Sequence, residues 1–217
     1  MYSVERLDIL GYRNKPVPNT FLKQDEEKGE VAILLPGLEY TCQMPLLYYP
    51  ARLLLYLGAD VLEVEYAYNL NPDFQALSGS EQLEWLFSDA AAAYKAALAK
   101  RSYQKVVLVG KSIGTLAMGQ ILTTQSKPQE VQAIWLTPLL RNENLRRQIL
   151  ECKMPSLFII GTADPHHHPD YLDEIKKAGE VIVIQNGDHS LEIKGDINGS
   201  LKAMEEVINA IKSFLSR

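Results

Sequence analysis

Ser112 sits in the run Gly110-Lys111-Ser112-Ile113-Gly114, directly after the apolar stretch Lys105 to Val109 and before a segment of helical character. In a G-x-S-x-G run of this kind the serine rides a turn so sharp that strand and helix nearly touch. The flanking positions then have room for little more than hydrogen. The turn pushes the hydroxyl out above the sheet edge, where it can attack an acyl carbon. The N-H of Ile113, at the start of the helix, would meet the oxyanion of the resulting tetrahedral intermediate. A phosphate-binding loop is a competing reading of Gly110-Lys111-Ser112. It requires a glycine five residues before Gly110, where Lys105 stands. A bare tight turn between strand and helix is the other alternative.

A serine nucleophile needs a base and a group to orient that base. Asp164 follows the apolar run Ser156 to Ile160 in Gly161-Thr162-Ala163-Asp164-Pro165, and His189 follows Val181 to Ile184 in Gly187-Asp188-His189-Ser190. Taken alone, Asp164 before Pro165 is a favoured turn initiator and His189 an ordinary loop histidine. Together they give the order Ser112, Asp164, His189, each at the carboxyl end of a strand, which is the order of a nucleophile-elbow hydrolase. Asp170, Asp173 and Asp188 are spare acids. Asp188 is adjacent to His189 and, in extended backbone, points away from it, so it reads as a loop-fixing residue. His166, His167 and His168 lack the spacing of a metal site and read as rim residues, with a rival general base among them. No metal or organic cofactor is called for. Cys42 reads as a labile thiol with no base assigned to it. Tyr66, Tyr68, Met44 and Lys111 are candidates to line a substrate pocket. Arg141, Arg146 and Arg147 read as a solvated helix face.

These residues must be carried by a scaffold, and the chain alternates between two kinds of segment. Short Val, Ile and Leu runs at Val31 to Leu35, Val61 to Val64, Lys105 to Val109, Val131 to Leu136, Ser156 to Ile160 and Val181 to Ile184 read as strands buried on both faces. Between them, Leu46 to Gly58, Ser80 to Lys100, Gly114 to Ser126, Asn142 to Glu151, Asp170 to Ala178 and Ser200 to Leu215 have helical spacing or composition, with Ser80 read as a cap. Arg6 to Gln24 reads as one or two antiparallel strands at the sheet edge. The pattern predicts an α/β fold, a doubly wound and mostly parallel sheet with helices on both faces, in which ligands bind at the carboxyl ends of the strands.

The chain has 217 residues, 47% hydrophobic and 23% charged, with a formal charge of -5. Its length suits one domain spanning residues 1–217. An acidic balance with no clustered Lys and Arg argues against a nucleic-acid partner. Two cysteines, no apolar leader and no apolar run near the roughly 18 residues of a membrane span point to a cytoplasmic protein with no membrane partner. It is expected to be a monomer or a homodimer.

The Gly110 to Gly114 elbow, the Gly161-Thr162-Ala163-Asp164 acid loop and the Gly187-Asp188-His189-Ser190 base loop resemble those of the α/β-hydrolase superfamily, over essentially the whole chain. The small size and lack of an inserted lid resemble its dienelactone-hydrolase-like and compact esterase branches. The resemblance implies a Ser112, His189, Asp164 triad, with Leu38 and Ile113 N-H groups as the oxyanion hole. Pro36 stands where the family often has the histidine of a His-Gly pair, a departure that leaves a backbone donor in place. It further implies a serine hydrolase acting on a small ester or thioester, and the short segment between Val131 to Leu136 and Ser156 to Ile160 leaves no room for a sizeable cap, so a shallow, open site that prefers short acyl groups is expected. An amidase or peptidase on the same triad, or a binding protein with a vestigial site, are the alternatives.

Overall fold

The computed structural model describes residues 1–126 and 130–217. In chain order the strands are β1 (Tyr2–Glu5), β2 (Asn19–Gln24), β3 (Glu30–Leu35), β4 (Asp60–Val64), β5 (Lys105–Lys111), β6 (Glu130–Leu136), β7 (Ser156–Gly161) and β8 (Glu180–Ile184). The helices are α1 (Pro45–Leu57), α2 (Pro72–Gln75), α3 (Gly79–Leu98), α4 (Ile113–Thr124), α5 (Glu143–Glu151), α6 (Pro169–Ile175) and α7 (Ile197–Leu215). Among the described residues the strands form one sheet in the order β1-β2-β4-β3-β5-β6-β7-β8. The pairs from β4 through β3 to β8 are parallel, and β1 and β2 add an antiparallel edge. That edge was expected within Arg6 to Gln24. Its outer strand instead begins at Tyr2, and most of the intervening chain is loop.

Period-two alternation sorts the strand residues into two cores. Val31, Ile33 and Leu35, with Val106 and Leu108, Ala133 and Trp135, and Phe158 and Ile160, pack beneath α3 to α6. Ala32 and Leu34, Val107 and Val109, Ile134 and Leu136, and Leu157 and Ile159 pack against α1 and α7. Both faces being covered explains why the central strands read as unbroken apolar runs.

The register aligns the carboxyl ends. Leu35 pairs with Gly110, Lys111 with Leu136, Leu136 with Ile159, and Gly161 with Ile184. The loops that follow β3, β5, β7 and β8 therefore open on one side of the sheet.

Two helix starts differ from the sequence reading. Ser78, not Ser80, caps α3: its hydroxyl accepts the Glu81 N-H while the Glu81 carboxylate accepts the Ser78 N-H. Helix α7 begins at Ile197, before Ser200, because the Asp196 carboxylate accepts the Gly199 N-H at 2.8 Å. No helix among the described residues is long and apolar enough to cross a membrane.

At the opposite, amino end of the sheet, Asp60 is 2% exposed and ties three segments together. It accepts the Gln24 N-H at 2.7 Å, the Tyr103 hydroxyl at 2.5 Å and the Arg101 guanidinium at 3.1 and 3.2 Å. Removing one partner of such a buried pair strands the other charge. Asp60→Ala is expected to cost about 3–5 kcal/mol of stability, read as a lowered denaturation midpoint with an unchanged slope.

Candidate active site

Strand β5 delivers Ser112 with φ 55° and ψ -120°, a conformation that L residues rarely adopt. The cause is the close approach of α4 to its neighbours. A Cβ at Gly114 would lie 2.0 Å from the Leu35 carbonyl oxygen, and one at Gly110 would lie 2.9 Å from the Gly114 carbonyl oxygen. With side chains barred from both positions, the strand turns into the helix within one residue and Ser112 absorbs the turn. The Ser112 N-H donates to the Leu136 carbonyl at 3.2 Å, and its own carbonyl accepts the Thr115 N-H and hydroxyl at 2.9 and 2.5 Å.

The loops after β7 and β8 bring an acid and an imidazole to this turn. His189 Nε2 is 2.9 Å from Ser112 Oγ, and His189 Nδ1 is 2.7 Å from Asp164 Oδ2. A carboxylate only accepts, so Nδ1 carries the proton and Nε2 faces the serine as an acceptor. Asp164 is 3% exposed. Burial pushes its carboxyl up, but the His189 hydrogen bond, the His166 N-H at 2.8 Å and the neighbouring imidazoles outweigh it, and the group lies below the ordinary carboxylate range. It therefore stays ionised beside the imidazole. Asp188 takes the Ser190 and Glu192 N-H groups at 2.7 and 3.1 Å, fixing the base loop as expected.

A cavity of about 730 Å³ opens on Ser112 and His189 and is lined by Leu38, Tyr40, Met44 and Lys111 among others. As the first residue of α4, Ile113 has no intrahelical acceptor for its N-H. Among the described residues the Leu38 N-H likewise donates to no protein acceptor. Beyond Leu38 and Tyr40 lies a smaller, mainly apolar cavity of about 320 Å³, lined by Cys42, Tyr66, Ala67 and Leu70. Thus Met44 and Lys111 share the cavity of the serine, and Tyr66 belongs to the side cavity.

Tyr68 lines neither. It is stacked between Tyr66 and Phe74, with its hydroxyl on Asp89 at 2.7 Å, and is a core residue. Cys42 is not labile: its buried thiol donates to the Val64 carbonyl at 3.3 Å, and burial pushes its pKa well up. Nor is Arg146 solvated, since it is pinned by Glu174 at 2.8 Å and the Leu140 carbonyl at 2.6 Å, over the Tyr171 ring. Arg141 and Arg147 are exposed as expected.

The three consecutive histidines part company. The His166 ring lies 5.6 Å from that of His189, and burial pushes its pKa down. His168 caps α6 and packs on Tyr171. Tyr40, Ser190 and Glu192 line the main cavity without having been singled out in the sequence. Nothing in the spacing around Leu38 or His189 tells which neighbours turn inward.

An alpha/beta hydrolase domain model matches residues 42–216. The chain belongs to the alpha/beta hydrolase family. No curated protein matches it in sequence. Among solved structures, this alpha/beta hydrolase is similar to the Pyrococcus furiosus esterase Pf2001, at TM-score 0.73 and 14% identity over 100% of this chain and 93% of that one. It is similar also to a lidless serine hydrolase from Xanthomonas campestris, at 0.66 and 15% over 100% and 94%. Est1E from Butyrivibrio proteoclasticus, solved with ferulic acid, gives 0.71 and 12% over the full length of both chains. At these identities the likeness is one of fold.

The packing at Gly114 makes a sharp prediction. Gly114→Ala is expected to lose about 3 kcal/mol through overpacking. Gly79→Ala, at a position where an added Cβ meets nothing within 4 Å, should stay within about 1 kcal/mol of wild type. Urea midpoints of the two variants provide the comparison.

Proposed function

We propose that the protein is a serine hydrolase that cleaves small carboxylic esters or thioesters through an acyl-enzyme. The observation that carries this reading is His189, hydrogen-bonded through one ring nitrogen to Ser112 Oγ and through the other to Asp164. Ser112 Oγ attacks the acyl carbon as its proton passes to His189 Nε2. Asp164 holds the tautomer and stabilises the imidazolium. The carbonyl oxygen, now an oxyanion, accepts from the Leu38 and Ile113 N-H groups. The bond to the leaving alcohol or thiol breaks, and His189 returns the proton to that oxygen or sulfur. A water activated by His189 then attacks the acyl-enzyme, releasing the acid and restoring Ser112. No step calls on a metal or organic cofactor.

Substrate size follows from what surrounds the serine. The segment between β6 and β7 holds only the nine-residue α5, so among the described residues that segment forms no cap domain over the cavity. The apolar side cavity beyond Leu38 suits a short acyl chain. The protein is expected to cleave acetate and butyrate esters faster than long-chain ones.

A fluorophosphonate probe tests the nucleophile directly. One adduct per chain on Ser112 is expected, and none on Ser112→Ala or His189→Ala. A folded wild-type protein that takes no adduct would overturn the reading. Asp164→Asn should retain the fold but lower kcat on a short ester by on the order of 10⁴-fold, because the imidazole then adopts the wrong tautomer.

A further inference from the structure

Lys111 precedes the nucleophile, is 3% exposed and lines the cavity of Ser112 and His189. A buried ammonium ordinarily sits against a carboxylate. Lys111 makes no ion pair among the described residues; its Nζ instead lies over the face of the Tyr40 ring, 4.7 Å from the centroid. Tyr40 in turn closes the loop that carries Leu38. Its carbonyl accepts the Gly37 N-H at 3.1 Å, and its hydroxyl accepts the Leu46 N-H at 2.9 Å, at the start of α1. At Gly37 the loop rests on the nucleophile's own turn: a Cβ there would lie 3.0 Å from Tyr40 Cβ, 3.3 Å from Lys111 Cδ and 3.4 Å from Ser112 Cβ.

We infer that Lys111 is a positioning residue: its ammonium holds the Tyr40 ring by a cation-π contact and so fixes the loop bearing the Leu38 N-H against Ser112. This rests on the serine-hydrolase reading for its catalytic consequence. A desolvated ammonium over a ring face is held more strongly than an exposed one, and the contact exists only while the amine is charged.

The charged state is finite in range. Burial pushes the Lys111 pKa down to about 8, against the pull of Asp164 after β7 and Asp188 in the base loop. His189 and Glu192 of that loop and Glu39 and Tyr40 of the Leu38 loop line the same cavity. The Tyr40 hydroxyl, pushed up to about 12 by burial, remains neutral across this range. Activity should therefore decline as pH rises through about 8. Stability moves the other way: between about 8 and the ordinary lysine value of 10.5, the unfolded chain binds the extra proton, so this group's contribution to stability rises with pH.

The test follows fluorophosphonate labelling and short-ester turnover from pH 6 to 10 in wild type, Lys111→Arg, Lys111→Met and Tyr40→Leu. The wild-type maximal rate is expected to fall above about pH 8 with no drop in melting temperature between pH 8 and 9. Lys111→Arg, whose guanidinium stays charged, should lose that fall. Lys111→Met should lower the maximal rate about tenfold with KM within threefold, since a displaced oxyanion donor acts in the transition state. Tyr40→Leu should match it, and the double variant should be no worse than either single one. An alkaline fall that persists in Lys111→Arg, or losses that multiply in the double variant, would overturn the inference. Amide exchange of residues 36–44 is independent of turnover. It should quicken in Lys111→Met, and an unchanged rate there would overturn the inference even in a protein that takes no probe. Absence of labelling in wild type counts only against the hydrolase reading.

Discussion

Helix α4 begins against the end of β3 at a distance that admits no side chain at Gly114, and the rest of the site is built around that contact. Because the helix must start there, the chain leaving β5 has a single residue in which to reverse, and Ser112 takes up a left-handed backbone. The same approach leaves the first N-H of α4 open beside the serine hydroxyl. The backbone of Ser112 and the open N-H of Ile113 thus arise from one steric constraint, and the loop after β3, which carries Leu38, is the other party to it.

The sheet supplies the second requirement, that groups far apart in sequence share an edge. Parallel pairing with aligned carboxyl ends brings residues from β5, β7 and β8 to one side, and the antiparallel edge of β1 and β2 lies at the far margin. Asp60 and its partners lock the other end of the sheet, so the sheet end that secures the fold is separate from the end that carries the site.

The strands and the placement of Ser112, Asp164 and His189 were legible because each depends on local signals: an apolar run, a turn and a residue of the right type after it. What escaped depends on direction. Tyr66 and Tyr68 share a loop and a residue type, yet only tertiary stacking decides that Tyr68 turns into the core and hydrogen-bonds Asp89. Arg146 reads as solvated because nothing local announces Glu174 and Tyr171, which arrive from α6. The α7 start was hidden by Asn198 and Gly199, poor helix formers that the Asp196 cap recruits. Tyr40 was unreadable for the same reason as Tyr68, since its ring faces Lys111 only once β3 and β5 are neighbours.

His189 hangs from the edge of this architecture. Strand β8 is the outermost parallel strand, and four of its five residues are only half-buried, whereas β5 lies at the centre with both faces covered. A sub-global opening that peels β8 from β7 would carry away His189 while Ser112 kept its strained turn and its helix, with the Ile113 N-H beside it. Loss of the imidazole through fraying of the margin is therefore separable from loss of the fold, and hydrogen exchange along β8 would mark how often His189 leaves Ser112.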